Sequence, residues 1–279
     1  MTMINQYKRL DVFRCSQEAH RRFGGRVSVY HVLKEKSCFP LGCLYFVWHC
    51  VLLEKGNRCI QGYRFTGKNC KGCTYFIEEK VHLQPELLLH DDEYERFQDQ
   101  LEDFETWLGD IRFKRLNVEG RINSVKPWFE QVLYPGQVHT KLRGYLTVIK
   151  RGFIGNTFFK DTFYIRISEG LMRAYSFVPK MKLELNGEIR EDRGRIIIHR
   201  PKRIEVLKPG WGKPLTRERA LVDVKTATLL NDQPDQCLAC RWGALIDVMD
   251  RRKEEDRRYR KLYCLKSIAD PEGCYVKYD

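Results

Sequence analysis

Residues 181–206 read MKLELNGEIREDRGRIIIHRPKRIEV. Over Met181–Ile189, apolar and polar residues alternate, which is typical of a half-buried strand. Ile196–Val206 is a second run rich in β-branched residues, which favour strands. Between the two runs, Asp192-Arg193-Gly194-Arg195 has the charged and glycine residues of a tight turn. The stretch therefore predicts a β-hairpin.

The sequence before this hairpin contains further strand-like segments, at Leu116–Val125, Leu142–Ile149 and Phe158–Ile167. Leu116–Val125 alternates and precedes Pro127, and the other two segments are rich in β-branched and aromatic residues. Pro209 and Gly210 end the run, because proline cannot donate to a sheet ladder. Five or six strands joined by turns within residues 112–208 favour a small closed barrel.

These strands resemble the OB fold in their pattern. Gly120-Arg121-Ile122-Asn123-Ser124-Val125 corresponds to a first strand, and Leu185–Ile189 with Arg195–His199 corresponds to the last hairpin. The resemblance implies a barrel that binds single-stranded nucleic acid, oligosaccharides or other proteins. The predicted fold class is α+β: a small antiparallel OB-like β-barrel flanked by cysteine-rich metal-binding N- and C-terminal segments.

Four regions are predicted along the chain. Residues 1–85 form a cysteine-rich domain, and residues 86–111 form an acidic amphipathic connecting helix. Residues 112–210 form the basic barrel, and residues 211–279 form a helical tail with a helix over Asp247–Leu262. The apolar face of the connecting helix consists of Tyr94, Phe97, Leu101, Phe104, Leu108 and Ile111.

Positive charge is concentrated in the predicted barrel. The chain of 279 residues has a net charge of +13, and residues 112–208 carry 21 lysines and arginines against 9 aspartates and glutamates. Aromatic residues are interleaved with these cations. Cations neutralise phosphates and flat rings stack on bases, so the pattern favours single-stranded nucleic acid, although basic charge also serves solubility alone. The predicted contacts are Arg121, Lys126, Lys150, Arg151, Phe153, Tyr164, Arg166, Arg200, Lys202 and Arg203.

A first cysteine cluster, with the spacing Cys50-x8-Cys59-x10-Cys70-x2-Cys73, lies in the N-terminal region. A pair of cysteines two residues apart can chelate one ion from a tight turn, and two further thiolates complete a tetrahedral site. The cluster therefore predicts zinc or a [4Fe-4S] cluster as cofactor. Cys15, Cys38 and Cys43 are spare, or exchange with Cys50 as the fourth ligand.

The same region resembles a small cysteine-rich domain of bacterial signalling proteins. The similar segments are Trp48-His49-Cys50, Cys59-Ile60-Gln61-Gly62 and Lys68–Phe76, which contains the Cys-x2-Cys pair followed by aromatic residues. The domain carries two Cys-Trp dipeptides, which this chain lacks. The resemblance implies a metal site.

A second cluster, Cys237-x2-Cys240-x23-Cys264-x9-Cys274, lies near the C-terminus and has the same chelating pair. It predicts a second site for the same metals. Two alternatives stay open: four buried cysteines that act as small apolar side chains, and a single site with ligands from both ends of the chain.

No catalytic residue is predicted, because the seven histidines are scattered and no GxSxG or phosphate-binding GxxxxGK[ST] motif occurs. The start of the chain lacks a secretory signal, so a cytoplasmic location is expected, with cysteines available as thiolates. The apolar stretch Cys38–Leu53 is shorter than the roughly 20 residues of a membrane span. It is therefore expected to form buried core, and no membrane partner is expected.

Two functions are compatible with these features. The first is a non-enzymatic, metal-containing protein whose barrel binds single-stranded nucleic acid. The second is an iron–sulfur or zinc redox or signalling scaffold whose barrel binds protein partners.

Overall fold

The computed structural model describes residues 1–21, 24–230, 237–238, 240–252, 256–271 and 274. The chain forms two compact units. The small unit is residues 10–89, and the large unit combines residues 1–9 with residues 90–279.

The strands and helices follow one another along the described chain, with short 3-10 turns at Gln6–Lys8 and Lys68–Cys70 and a π-helical turn at His31–Glu35. In chain order they are β1 (Thr2–Met3), β2 (Phe13–Arg14), α1 (Glu18–Arg21), β3 (Arg26–Val27), β4 (Cys43–Cys50), α2 (Val51–Glu54), β5 (Phe76–Leu83), β6 (Glu86–Leu87), α3 (Asp91–Ile111), β7 (Arg115–Tyr134), β8 (Gln137–Ile154), β9 (Thr157–Phe159), β10 (Phe163–Ile167), α4 (Glu169–Tyr175), β11 (Lys182–Asp192), β12 (Arg195–Lys208), α5 (Arg217–Thr226), β13 (Thr228–Leu230), β14 (Gly243–Asp250) and β15 (Arg257–Cys264).

The large unit contains a mixed sheet in the order β1-β9-β8-β10-β12-β11-β7-β14-β15-β13. Strands β7 and β8 also pair with each other, so β7, β8, β10, β12 and β11 form a closed circuit of pairings. Among the described strands, three pairs are parallel: β1 with β9, β10 with β12, and β14 with β7.

The prediction of a small antiparallel OB-like barrel is therefore wrong. The described part of the sheet has ten strands, and both residues 2–3 and the C-terminal region contribute strands to it. Pairings such as Thr2 with Phe158 join residues far apart in the sequence, and local alternation of apolar residues carries no information about them.

The predicted tail helix over Asp247–Leu262 is also wrong, because β14 and β15 form an antiparallel hairpin there. The buried residues Ala244, Ile246 and Val248 recur with period two, which is the period of a strand. The dense charge that follows this stretch obscured the alternation.

The connecting helix predicted over 86–111 is shorter in the structure: α3 spans Asp91–Ile111, because Glu86–Leu87 forms β6 and His90 is the N-cap. The side chain of Glu93 accepts a hydrogen bond from the His90 amide at 3.3 Å, which caps the first turn. Asp91, Asp92 and Glu93 lie where the helix dipole favours negative charge. The buried face is Phe97, Phe104, Trp107, Leu108 and Ile111.

In the small unit, β4 and β5 form a two-stranded hairpin with Cys43 opposite Leu83 and Cys50 opposite Phe76. Strand β2 pairs with β3 and β6 in a separate sheet. The apolar stretch Cys38–Leu53 was expected to be buried core, but Leu44 and Phe46 are more than half exposed. A two-stranded hairpin has two faces, and these two residues lie on one of them.

Candidate functional site

Of the predicted nucleic-acid contacts, one group lies at the pairing of β7 with β8. Gly120 is opposite Gly152 and Ile122 is opposite Ile149. Between these two pairs, β7 has one residue, Arg121, and β8 has two residues, Lys150 and Arg151, which form a β-bulge. Such a bulge bends a strand and redirects its side chains. Arg121, Lys150, Arg151 and Phe153 are all exposed.

Phe153 is unusual among the predicted aromatic contacts because 45% of its surface is exposed. It lies directly opposite Glu119 in β7 and Phe158 in β9, and its ring centroid is 5.1 Å from that of Phe158. An exposed ring supported on one side by a second ring is available for stacking on its other side.

A second group lies on β12, where Arg200, Lys202 and Arg203 are exposed. Two register shifts interrupt the β11–β12 pairing at this point, and Arg200 and Arg203 have positive φ values of 48° and 50°. The Arg115 side chain donates to the Arg200 carbonyl at 2.9 Å. Lys202 is opposite Asn186, which is opposite Asn117 in β7.

Phe153 and Lys202 point to one side of the sheet, since residues paired directly across strands point to the same side: Phe153 is opposite Glu119, and Lys202 is connected through Asn186 to Asn117. Arg200 and Arg203 are exposed beside Lys202 in the sequence. Asn117 and Glu119 alternate on the same side of β7 as Arg121, which links the two groups. We call this surface the basic face and define it as Arg121, Lys150, Arg151, Phe153, Arg200, Lys202 and Arg203.

Tyr164 and Arg166 are instead part of an internal network. Arg166 stacks on Trp128 with its guanidinium 4.2 Å from the ring centroid, and its NH2 lies 3.9 Å from Asp192 Oδ2. Arg195 lies over the Tyr164 ring at 5.4 Å. Burial raises the pKa of Tyr164, so its hydroxyl stays neutral.

Asp192 is the centre of this network. It accepts hydrogen bonds from Arg260 at 2.6 Å and from Arg195 at 3.0 Å. Arg260 also donates to Asp247 at 2.8 Å, and Asp247 accepts from Trp128 Nε1 at 2.9 Å. Burial alone would raise the pKa of Asp192, but the two arginines outweigh it and lower the pKa to about 2.

The network connects strands from distant parts of the chain and lies against His199. Burial, together with the charges of Arg166 and Arg190, lowers the pKa of His199 to about 4, so this histidine is neutral at pH 7. The sequence-based prediction missed Arg195, Arg260 and Asp192. Arg260 lies in the segment that was wrongly predicted as a helix. The alternation of buried and less buried residues in β14 is the pattern that indicates a strand there, and it could have placed Arg260 on the paired strand.

Lys126 is only 8% exposed, and its Nζ donates to the carbonyls of Gly243 at 2.8 Å and Leu238 at 2.9 Å. Burial lowers its pKa to about 8, while the nearby Cys240 acts in the opposite direction. With its ammonium group held by two backbone carbonyls, Lys126 supports the turn that carries the second Cys-x2-Cys pair.

That turn precedes β14. The Cys240 Sγ accepts a hydrogen bond from the Trp242 amide at 3.4 Å, and the Cys240 carbonyl accepts one from the Gly243 amide at 3.1 Å. Gly243 is opposite Cys264 in β15, and a Cβ atom on Gly243 would overlap the carbonyl of Cys237. Three of the four predicted ligands therefore lie at one end of the β14–β15 hairpin.

In the first cluster, Cys70 and Cys73 share a tight turn in which the Cys73 amide donates to the Cys70 carbonyl at 3.0 Å. The Gly67 amide approaches Cys70 Sγ at 3.5 Å. Cys50 ends β4, and Cys59 follows α2. The chelating pair is thus folded as a turn, as its spacing predicts.

No group of three or more cysteine, histidine, aspartate or glutamate side chains is arranged to hold a metal ion within the described residues. Seven of the predicted ligands are free thiols: Cys50, Cys59, Cys70, Cys73, Cys240, Cys264 and Cys274. Metal binding therefore stays a prediction, supported by the spacing of the cysteines and the two turns.

Protein-family models, curated proteins and solved structures were all compared with this chain, and none of them matches it. Among the described residues, no helix has both the length and the apolar character needed to cross a membrane.

Proposed function

We propose that this protein is a non-enzymatic binding protein that holds single-stranded nucleic acid on the basic face. The observation that carries the proposal is the exposed Phe153 ring beside Arg121, Lys150 and Arg151. Stacking on one ring stabilises a bound base by roughly 1–3 kcal/mol, and neighbouring cations neutralise the adjoining phosphates.

Charge supports the same function. The chain carries a net charge of +13, and most of the surplus lies in the strands around the basic face. Two acidic residues near this face have local partners: Glu119 contacts Lys182 at 2.5 Å, and Glu184 accepts from Asn117 at 2.7 Å. Glu205, opposite Glu184, is exposed, and Glu188 lies 3.9 Å from Arg200. These contacts leave Arg121 and Arg151 facing solvent.

The test is fluorescence anisotropy of a labelled single-stranded oligonucleotide, titrated at several salt concentrations. Phe153→Ala should weaken binding roughly 5- to 150-fold and leave the salt dependence unchanged, because stacking releases no counterions. Arg121→Ala and Arg151→Ala should each weaken binding and reduce the slope of log K against log salt by about 0.7.

Two control variants keep this test specific. Lys141→Ala removes an exposed cation from the same strand as Arg151, roughly 30 Å further along it. Tyr134→Ala removes an exposed ring from the far end of β7. Both should bind like the parent. The proposal is wrong if the parent binds no oligonucleotide at low salt, or if the controls lose as much affinity as the basic-face variants.

We further propose that the two cysteine clusters bind zinc or a [4Fe-4S] cluster in the cytoplasm, where thiols stay reduced. Metal analysis of anaerobically prepared protein tests this directly. Colourless protein with stoichiometric zinc indicates zinc, and a brown protein with iron and sulfide indicates a cluster. Protein that retains neither metal after anaerobic purification contradicts the proposal.

A further inference from the structure

A second exposed ring lies on the large unit, just after the end of β12. Trp211 is 70% exposed, against 45% for Phe153. Its backbone is fixed, because the Trp211 amide donates to the Pro179 carbonyl at 3.2 Å. A Cβ on the preceding Gly210 would overlap the Pro179 carbonyl and the Met181 amide, so the chain passes close to the start of β11. A large aromatic ring is therefore presented to solvent from an anchored backbone.

Backbone hydrogen bonds connect this anchor to the part of β7 that carries Arg121. The Lys180 amide donates to the Ile122 carbonyl at 2.7 Å, and the Ile122 amide donates to the Met181 carbonyl at 2.8 Å. Pro179, which accepts from the amide of the ring residue, directly precedes Lys180. The second ring and Arg121 are therefore attached to one hydrogen-bonded segment.

A row of cations crosses three strands beside this segment. Lys182 in β11 is opposite Arg121 in β7 and opposite Lys208 in β12. Residues paired directly across strands point to the same side of the sheet, so these three side chains lie next to one another. We call them the cation row. The β-bulge of β8 that faces Arg121 continues the row toward Phe153.

An acidic row runs alongside the cation row. Glu184 is opposite Glu119 in β7 and opposite Glu205 in β12. Along β11 the two rows are two residues apart, which is about 7 Å and within the Debye length of about 8 Å at physiological salt. Lys182 contacts Glu119 at 2.5 Å, at the boundary between the rows.

The acidic row gives the surface a preferred direction for a phosphate backbone. Lys202 is opposite Asn186, so it lies on the far side of the acidic row from Lys182. A strand that leaves Phe153 past Arg121 is attracted along the cation row and repelled by the carboxylates beside it. The favoured path therefore leads across β7, β11 and β12 to the second ring.

Building on the proposed function, we propose that Trp211 is a second stacking platform and that the bound single strand follows the cation row from Phe153 to Trp211. Neighbouring strands are about 4.8 Å apart, so the path from β8 to β12 spans roughly 14 Å. At about 3.4 Å per nucleotide of a stacked strand, the ligand needs roughly four or more nucleotides to reach both rings. Each ring stacks on a separate base of the same strand.

Fluorescence anisotropy of a labelled single strand of roughly 12 nucleotides tests the second platform. Trp211→Ala should weaken binding about 5- to 150-fold and leave the slope of log K against log salt unchanged, because stacking releases no counterions. Trp211→Phe keeps a ring and should retain most of the affinity. Lys208→Ala should weaken binding and reduce the slope by about 0.7.

The matched controls are Tyr134→Ala, which removes an exposed ring, and Lys141→Ala, which removes an exposed cation. Both should bind the long strand like the parent. A series of strand lengths gives a second measurement. The affinity of the parent should rise steeply once the strand covers both rings, and Trp211→Ala should remove that rise. Parallel length dependence in the parent and in Trp211→Ala would contradict the path.

The outcomes separate this inference from the proposed function. If Phe153→Ala weakens binding and Trp211→Ala does not, the second platform is wrong while the proposed function stands. If the parent binds no single strand at low salt, the proposed function itself is wrong, and the path falls with it.

If Trp211→Ala melts at a lower temperature than the parent, crosslinking of the wild-type protein decides the question. A single strand carrying 5-bromodeoxyuridine is irradiated in the complex, and peptide mapping locates the crosslinks. The peptide that contains Trp211 should be among those crosslinked. Crosslinks to the Phe153 peptide without any to the Trp211 peptide would overturn the path.

Discussion

At the scale of single residues, the arginine contacts of Asp192 explain how a carboxylate remains ionised in a largely enclosed position. Arg195 and Arg260 both donate to it, and they come from two strands that are remote in the sequence. A buried charge with its partners present is tolerated, whereas removal of one partner leaves the others unpaired.

Asp192→Asn should therefore lower the free energy of unfolding by about 3 kcal/mol at pH 7. The folded-state pKa of Asp192, about 2, is below its ordinary value, so the contribution is complete above about pH 4 and is lost as the pH falls toward 2. Urea denaturation at several pH values should show the variant and parent converging in that window. Asp99→Asn, on the exposed face of α3, should melt like the parent, and an equal loss there would contradict the role of Asp192.

Sequence patterns identified some of these residues but not their roles. Tyr164 and Arg166 were predicted as nucleic-acid contacts because they are aromatic and basic, and the structure puts both in the interior network. Residue type in a strand does not reveal which face is covered by another strand. Arg121, Lys150, Arg151 and Phe153 are exposed together because a bulge, which local alternation does not predict, brings them to one place.

At the scale of elements, the turn before β14 leaves no room for a side chain at Gly243. Gly243→Ala would force a Cβ against the carbonyl of Cys237. We expect this variant to displace the turn, to lower the melting temperature and to reduce metal binding at the second cluster. Circular dichroism melts and zinc analysis measure the two effects, and an unchanged melting temperature would show that the turn has room to adjust.

Gly109 in α3 gives the opposite expectation. It is exposed, and a Cβ at this position meets no atom within 4 Å. Gly109→Ala should therefore stabilise the protein by about 0.5–1 kcal/mol, because alanine loses less backbone entropy in a helix. Denaturant titration measures the change. A loss of stability would mean that α3 has neighbours at Gly109 besides those described.

Elements were predictable where one periodicity is sustained. The helix α3 repeats its apolar residues over six turns and the β11–β12 hairpin alternates clearly, so both were predicted from sequence. The β14–β15 hairpin was not, because its eight-residue strands are flanked by mixed charge that is equally typical of a helix. Strand pairing across the sheet depends on contacts that no local pattern encodes.

At the scale of the whole molecule, residues 1–9 are part of the large unit although residues 10–89 separate them from the rest of it. Asn5 is 1% exposed and donates to the Gly194 carbonyl at 2.8 Å, and Lys8 Nζ donates to the Thr162 carbonyl at 2.9 Å. The seven cysteines of residues 1–85 predict a domain boundary after residue 85. Composition carries no information about contacts between distant residues, so it could not predict that residues 1–9 belong to the large unit.

Deletion of residues 1–9 should consequently destabilise the large unit. The loss includes the β1–β9 pairing and the buried Asn5 contact, and we expect a lower melting temperature and faster proteolysis between residues 155 and 195. Limited proteolysis with mass spectrometry locates the cleavage sites. Cleavage confined to residues 10–89 would contradict the contribution of this segment.

The pairing of β1 with β9 also imposes an order on folding during translation. Thr2 and Met3 leave the ribosome before their partners Phe158 and Phe159 are synthesised, a delay of roughly 8–30 s at ordinary elongation rates. Residues 10–89 emerge completely within that interval, so their strands can pair while the leading segment is still unpaired. Although β1 is made before the other strands of the sheet, it therefore cannot join the sheet until residue 159 has been synthesised.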